Sequence, residues 1–272
     1  MREKQTARTI TAAAATAPVR GPRLRVEWKT TAAQAPKKSV LMVAWPLGKL
    51  YVVSTMSAGH RSGRCRWNAI FMSTCMVYDR ATTLAGIDED HPTKPASPYA
   101  AAKLAGEALA LSYAHAYRLP VTVVRPFNTY GPFQRSVGEG GVVAIFTRRS
   151  LLGEELRIYG DGTQTRDLLY ATDCARFVCD TLVADRAVGR VLNAGTGADV
   201  AVNELAALIE PNPSRIVHVE HIHPQSEIAI LRCDAGRARQ VLGWGPEISL
   251  AEGLALTRAW MADRLTAGTP VA

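Results

Sequence analysis

Cysteine is scarce in this 272-residue chain, and the five present (Cys65, Cys75, Cys174, Cys179, Cys233) are widely spaced, with no C-x-x-C pair. Neither a disulfide framework nor a zinc ribbon is expected, and a reducing cytoplasm is the simplest compartment. Long apolar runs are also missing. The most apolar early stretch, Val40 to Val53, is broken by Pro46, Gly48 and Lys49, and falls short of the roughly 20 residues a membrane helix needs. Acidic residues are nearly absent from residues 1–70, which hold 13 Lys+Arg against only Glu3 and Glu27, whereas residues 71–272 hold 19 Lys+Arg and 22 Asp+Glu. The overall charge of +8 therefore sits in the first part of the chain. A nucleic-acid groove built into a fold would carry its excess in the folded part, so no nucleic acid is expected as partner. The first 25 residues lack the uninterrupted apolar core of a secretory signal. Their Arg, Ala and Thr bias is like that of an organelle transit peptide, a likeness of composition only.

Residues 1–69 also show no sustained period of 2 or 3.6. From Ala69 the character changes. AIFMST reads as a short buried strand, Ser97 to Tyr117 as a helix, and LPVTVVRP as a strand rich in β-branched residues. Gly140 to Leu152 reads as a helix, LRIYG as a strand, Ala171 to Val183 as a helix and RVLNAG as a strand. Val202 to Ile209 follows as a helix, RIVHVEHI as a strand, and Leu250 to Arg264 as a closing helix. Strands alternating with helices of about 10 to 15 residues predict an α/β protein with a largely parallel sheet.

Tyr99 and Lys103 stand four residues apart at the start of the first predicted helix, behind the helix-opening Pro98. The spacing puts both on one face, one turn apart. A phenol ionises near pH ~10 and acts as a general base at neutral pH only where something stabilises the phenolate, which an adjacent ammonium does. Y-x-x-x-K alone occurs on many solvated helices, and three flanking segments supply its context. Ser73-Thr74-Cys75-Met76-Val77-Tyr78 ends the AIFMST strand, where a Thr74 hydroxyl can project from the carboxyl edge of a parallel sheet, the usual ligand edge of open α/β folds. Arg125-Pro126-Phe127-Asn128-Thr129-Tyr130-Gly131-Pro132 follows the next strand in the same way. Tyr159 to Asp167 (YGDGTQTRD) is a glycine-rich turn leading to Arg166, whose fork of donors suits two oxygens of a diphosphate.

With these segments in view, the chain resembles the extended short-chain dehydrogenase/reductases that act on nucleotide sugars, the NAD-dependent epimerase/dehydratase family. STCMVYD, DEDHPTKPASPYAAAKLAGE, RPFNTYGP, IYGDGTQTRDLLYATDCA, LNAGTG and LGWGPEISLAEGL stand in that family's order and spacing, over about residues 69–265. The resemblance implies a Rossmann-like, mostly parallel sheet with a smaller carboxy-terminal substrate subdomain. It implies NAD as cofactor, a nucleotide-diphosphate sugar as substrate, and a homodimer paired through a four-helix interface that includes the Tyr-Lys helix. Residue by residue, Thr74 orients the sugar, Tyr99 is the catalytic base, and Lys103 is its partner and a cofactor ligand. Asn128 contacts the nucleotide sugar and Arg166 its diphosphate. Arg232, in LRCDAGRARQVLGW, is a weaker candidate for a second phosphate contact. By this analogy Tyr99 removes a hydroxyl proton while hydride passes from the sugar C4 to NAD+, giving a transient 4-keto sugar.

Two departures from the family matter. Residues 1–69 contain no G-x-x-G-x-x-G or G-x-G-x-x-G turn to hold the pyrophosphate of NAD, and a βαβ unit takes about 30 residues, so three such units do not fit there. Residues 1–69 are therefore read as an atypical basic segment, poorly ordered or non-native, of an amino-terminally truncated or aberrantly translated member. Residues 70–272 are read as a partial Rossmann-like core, incomplete at its amino-terminal side, interleaved with the nucleotide-sugar-binding subdomain. The family's 4,6-dehydratases carry an acidic pair directly after the Ser-Thr, because eliminating water needs an acid and a base beyond the tyrosine; here those positions are Cys75 and Met76. A 4-epimerase-like reaction is favoured, with a 4,6-dehydratase, a uronate decarboxylase, and an inactive or purely sugar-nucleotide-binding chain as alternatives. His218, His221 and His223 in HVEHIHP suit surface positions better than a metal site, because His218 points away from the other two on a strand. Arg148-Arg149 is read as a solvated helix face, and Trp244 as a packing residue.

Overall fold

Strand and helix alternate along the chain because β-branched runs and helix-forming runs alternate in the sequence, and the order of the strands decides which loops meet. The computed structural model describes residues 27–28, 38–45, 48–55, 66–81, 85–138, 140–222 and 224–268. The main sheet begins with β1 (Glu27–Trp28), β2 (Lys38–Trp45), β3 (Gly48–Thr55) and β4 (Arg66–Met72), paired antiparallel in that order. α1 (Pro98–Tyr117) carries the chain to β5 (Val121–Pro126), which lies parallel to β4 with Ala69 opposite Val121 and Met72 opposite Val124. After β6 (Asn128–Tyr130), α2 (Val142–Leu152), β7 (Leu156–Tyr159), β8 (Thr165–Tyr170) and α3 (Ala171–Val183), the chain returns to the same sheet as β9 (Val191–Ala194), parallel to β5. Val121 to Arg125 are buried along the whole strand, as expected of a parallel strand covered on both faces.

Helices cover both faces. Side chains alternate along β4: Asn68 donates its amide to the Leu182 carbonyl of α3 at 2.7 Å, whereas Phe71 lies against Gly106 of α1. Of the remaining elements, β10 (Asp199–Ala201), α4 (Val202–Ile209), β11 (Ile216–Val219) and α6 (Leu250–Thr266) complete two small sheets and a second core, while α5 (Gly236–Leu242) packs into the first. β8 lies between β6, parallel, and β10, antiparallel, while β7 and β11 pair in parallel. The first core gathers Ile70, Val124, Phe127, Phe177, Leu192 and Trp244; the second gathers Phe146, Leu156, Ile158, Leu168, Val200 and Leu205. Each such side chain contributes about 1.5–3 kcal/mol on burial. The expected helices over 171–183 and 202–209 match α3 and α4, and the closing helix runs two residues further than expected, to Thr266.

The strands β6, β8 and β10 and the helix α5 have no counterpart in the sequence reading. Nor do β2 and β3, which fall in the stretch without period. A continuous apolar run such as SVLMVAW gives no period to detect and is identified only by its partner. The expectation that residues 1–69 are foreign to the fold lies mostly outside the described residues. No helix among the described residues is long and apolar enough to cross a membrane.

α1 starts sharply: Ser97 Oγ accepts from the Ala100 N–H at 3.2 Å and Pro98 opens the first turn. Of its twenty residues only Ala100, Gly106 and Glu107 are buried. A Cβ placed on Gly106 would stand 2.4 Å from the tip of the Phe71 ring. Gly106→Ala is therefore expected to destabilise the protein. The helix-propensity gain of ~1 kcal/mol is outweighed by a clash worth up to ~3 kcal/mol against a buried ring, and a lower urea midpoint in equilibrium unfolding checks this.

Candidate active site

β4 leaves the sheet at Met72, and the next two residues carry hydroxyls. Thr74 Oγ1 accepts from the Met76 N–H at 3.3 Å and so caps the single 3-10 turn Cys75–Val77. That turn fixes the Thr74 hydroxyl at the carboxyl edge of the sheet. Tyr99, in the first turn of α1, comes to the same cleft, where it and Thr74 both form part of the lining. β5 ends at Pro126, and Asn128 opens β6 across the gap. Thr74, Cys75, Tyr99, Asn128, Gln134 and Gly141 line one cleft of about 260 Å³.

Two acceptor oxygens in this cleft are buried and have no partner, Asn128 Oδ1 and Gln134 Oε1. Each unmet oxygen costs about 1–3 kcal/mol unless a ligand or water supplies a donor, so the cleft suits a molecule rich in hydroxyls. Gln134 is held in place by its own amide, which donates to the Thr129 carbonyl at 2.8 Å. The Tyr99 residue is 57% exposed, and the partial burial of its phenol raises its pKa, with the neighbouring Thr74 hydroxyl acting in the opposite direction. Cys75 is pushed up to about 12 by burial, so it remains a thiol at neutral pH and a poor proton donor.

The other expected site residues lie around this cleft rather than in it. Lys103 Nζ donates to the Met72 carbonyl at 2.8 Å and stands 5.8 Å from the centroids of both the Tyr99 and the Phe71 rings. The ammonium thus answers the carbonyl freed where β4 ends while standing beside the ring of the phenol. Arg166, on β8, donates to the Ile228 carbonyl at 2.9 Å and forms an ion pair with Glu227. Arg232 Nε donates to the Gly197 carbonyl at 2.8 Å. Of the histidines, His218 meets Asn203 at 2.9 Å and His221 meets Glu227 at 2.7 Å, while His223 lies outside the described residues. Among the described residues there is no cluster able to hold a metal ion. Trp244 packs edge-on against Phe177 at 5.0 Å, as expected of a packing residue.

Sequence reasoning missed Ser73, Glu107, Arg125, Gln134 and Glu227. For Glu107 a signal was there: it follows Tyr99 and Lys103 at the same interval of four, so it shares their face of α1. Arg125 interrupts an apolar β-branched strand with a charge, which in a buried strand demands a partner.

The described residues fit one end of a dinucleotide and not the other. A half-exposed phenol beside an ammonium suits a ribose and its attached ring. A diphosphate cradle needs a glycine-rich turn between a strand and an α-helix, and among the described residues no α-helix precedes α1.

The family model for the NAD dependent epimerase/dehydratase family matches residues 47–195, beginning ahead of the boundary expected at residue 69. The chain is 40% identical over 173 residues to a UDP-glucose 4-epimerase of Mycolicibacterium smegmatis, an alignment covering 62% of this chain and 54% of that protein. Among solved structures, Pal from Bacillus thuringiensis superposes with a TM-score of 0.70 at 56% identity, covering 71% of this chain and 62% of the other. The UDP-glucose 4-epimerase of Thermotoga maritima, solved with UDP-glucose, superposes with a TM-score of 0.67 at 36% identity, covering 72% and 63%. The chain thus spans between 54% and 63% of the length of these three relatives.

The Arg166–Glu227–His221 cluster yields a pH dependence. Burial alone would raise the Glu227 carboxyl, but Arg166 and the hydrogen bond from His221 together hold it below its ordinary value. A carboxyl lowered on folding stabilises the protein above its unfolded pKa of ~4.3, and the contribution is lost as pH falls through the lower folded value. Glu227→Gln is therefore expected to lower stability at pH 7 and to approach the parent as the pH drops below ~4. Urea unfolding of both chains across that window checks it.

Proposed function

Because the chain belongs to the NAD-dependent epimerase/dehydratase family, we propose that it acts on a nucleotide-diphosphate sugar by 4-keto chemistry of the 4-epimerase type. The observation that carries this reading is that Thr74, Tyr99 and Asn128, with its unsatisfied side-chain oxygen, line one cleft. In this reading Thr74 Oγ1 holds the oxygen of a sugar hydroxyl, and Tyr99 Oη takes its proton. Asn128 and Gln134 meet neighbouring hydroxyls and fix which carbon faces the phenol. Lys103 gives the pocket a positive charge that favours the phenolate and, with Tyr99, holds the reacting end of the cofactor. When bound, NAD supplies hydride acceptance and return at the sugar carbon. Arg166 turns from Glu227 to the diphosphate, and Arg232 is a second candidate for it.

The buried Cys75 favours epimerisation over dehydration. An elimination needs a proton donor and acceptor beside the phenol, and a thiol raised to about 12 next to Met76 offers neither at neutral pH. A second reading, a sugar-nucleotide-binding chain without turnover, draws on the missing glycine-rich turn. A homodimer through the open face of α1 completes the proposal, since Leu109, Tyr113 and Tyr117 are exposed there and the two tyrosine rings stack at 5.4 Å. The cytoplasm is the compartment proposed, on the free cysteines Cys75, Cys174, Cys179 and Cys233.

Calorimetric titration with UDP-glucose, with and without NAD, tests the function. Binding is expected, weakened about 5- to 30-fold by Asn128→Ala, the equivalent of ~1–2 kcal/mol for a lost hydrogen bond. Tyr99→Phe is expected to bind within about twofold of the parent and to abolish NAD-dependent turnover followed by NMR. Binding of UDP-glucose with no response to NAD selects the second reading. No binding of any UDP- or dTDP-sugar sinks both.

A further inference from the structure

We propose that Glu107 is a positioning residue for the Tyr99–Thr74 pair, acting through Ser73 and Arg125. The inference rests on the role of Tyr99 proposed above. Tyr99, Lys103 and Glu107 recur at intervals of four along α1, so they form one stripe facing the ends of β4 and β5. Two turns of this stripe have their own anchor there. Lys103 Nζ donates to the Met72 carbonyl at 2.8 Å. Glu107 Oε1 accepts from the Ser73 hydroxyl and from Arg125 Nε at 2.9 Å, and its Oε2 accepts from Arg125 Nη2 at 2.6 Å.

Ser73 directly precedes Thr74, and Arg125 lies three residues before Asn128. One carboxylate therefore binds the three segments that carry Thr74, Tyr99 and Asn128. Glu107 is 2% exposed and Arg125 5%, so water cannot replace either partner. A bidentate carboxylate–guanidinium bond is directional. It sets the rotation of α1 about its own axis, and that rotation decides where the Tyr99 hydroxyl falls relative to Thr74. An apolar contact at the same place would hold the helix to the sheet without fixing its rotation. The guanidinium is itself held from the other side, over the Tyr78 ring at 4.6 Å, while the Tyr78 hydroxyl donates to Asn193 Oδ1 at 2.6 Å.

The test replaces the eight tyrosines by 3-fluorotyrosine in the full chain and follows Tyr99 by fluorine NMR, identified by its loss in Tyr99→Phe. Ser73→Ala removes one arm without changing charge. Glu107→Gln keeps the shape and removes the charge. In both, the Tyr99 resonance is expected to move and its ionisation midpoint to shift by about half a pH unit or more, as the phenol changes position relative to Thr74 and Lys103. Leu205→Ala, in the second core, is expected to lower the melting temperature and leave the Tyr99 titration in place. A Tyr99 signal unchanged in Ser73→Ala, or moved equally by Leu205→Ala, overturns the proposal. Ser73→Ala alone decides the matter where Glu107→Gln does not fold. UDP-glucose binding by the parent is measured separately. Its absence alongside a shifted Tyr99 overturns the function while leaving the positioning role intact.

Discussion

A carboxylate that is almost wholly withdrawn from water must meet a cation, and in this protein the Glu107–Arg125 bond meets that demand between a helix and the sheet. Removing one partner of such a pair costs about 3–5 kcal/mol, because the other charge stays buried and unpaired. The helix that carries the candidate base can therefore dock on β4 and β5 in few ways. Gly106 lets it approach to the Phe71 ring, Lys103 adds a bond to the last carbonyl of β4, and the carboxylate sets the angle. The hydroxyl cluster at the strand ends follows from these three contacts.

The cleft lies where a parallel sheet leaves room for it. Strand ends that do not continue the ladder expose carbonyls and short loops; Thr74 follows the end of β4, and Asn128 stands two residues beyond the end of β5, where β6 begins. Around it the charges are already spoken for in the absence of ligand. Arg166 is paired with Glu227, and Glu227 in turn with His221. On the function proposed above, a diphosphate reaching Arg166 would exchange one anion for another, and its affinity would reflect the difference between two ion pairs rather than the strength of one. The second core, behind Leu168, gives this side of the cleft a rigid wall.

Elements defined by a long local pattern were legible in the sequence. α1, α3 and α4 show helical runs with clear ends, and β4, β5, β7 and β9 are short apolar strands between turn residues. β6 and β10 have three residues each and exist because β8 pairs with both; nothing local marks them. The TRDLLY strand was hidden in what read as a glycine-rich turn, since its buried half is an unbroken Leu-Leu-Tyr. Of the candidate site, the i,i+4 relation of Tyr99 and Lys103 and the hydroxyl after β4 were readable, because helix and strand geometry alone generate them. That Lys103 bonds a backbone carbonyl, that Arg166 is held by a glutamate 61 residues away, and that Glu107 bridges two strands are matters of distant partners.

Residue order by itself determined the class of fold, the helix face on which Tyr99 and Lys103 stand, the absence of a glycine-rich turn before β4, and the thiol where an acid would serve elimination. Those are properties of composition and of the two short periods of the backbone. Tertiary structure decided which side chains meet. Burial turned Glu107 and Arg125 from surface-type residues into an obligatory pair, and folding brought to one cleft Thr74 after β4, Tyr99 of α1 and Asn128 of β6, up to 54 residues apart along the chain. The reason is physical: a charge or an unpaired oxygen has its full energetic weight only once water has been removed from it, and only the folded chain removes the water.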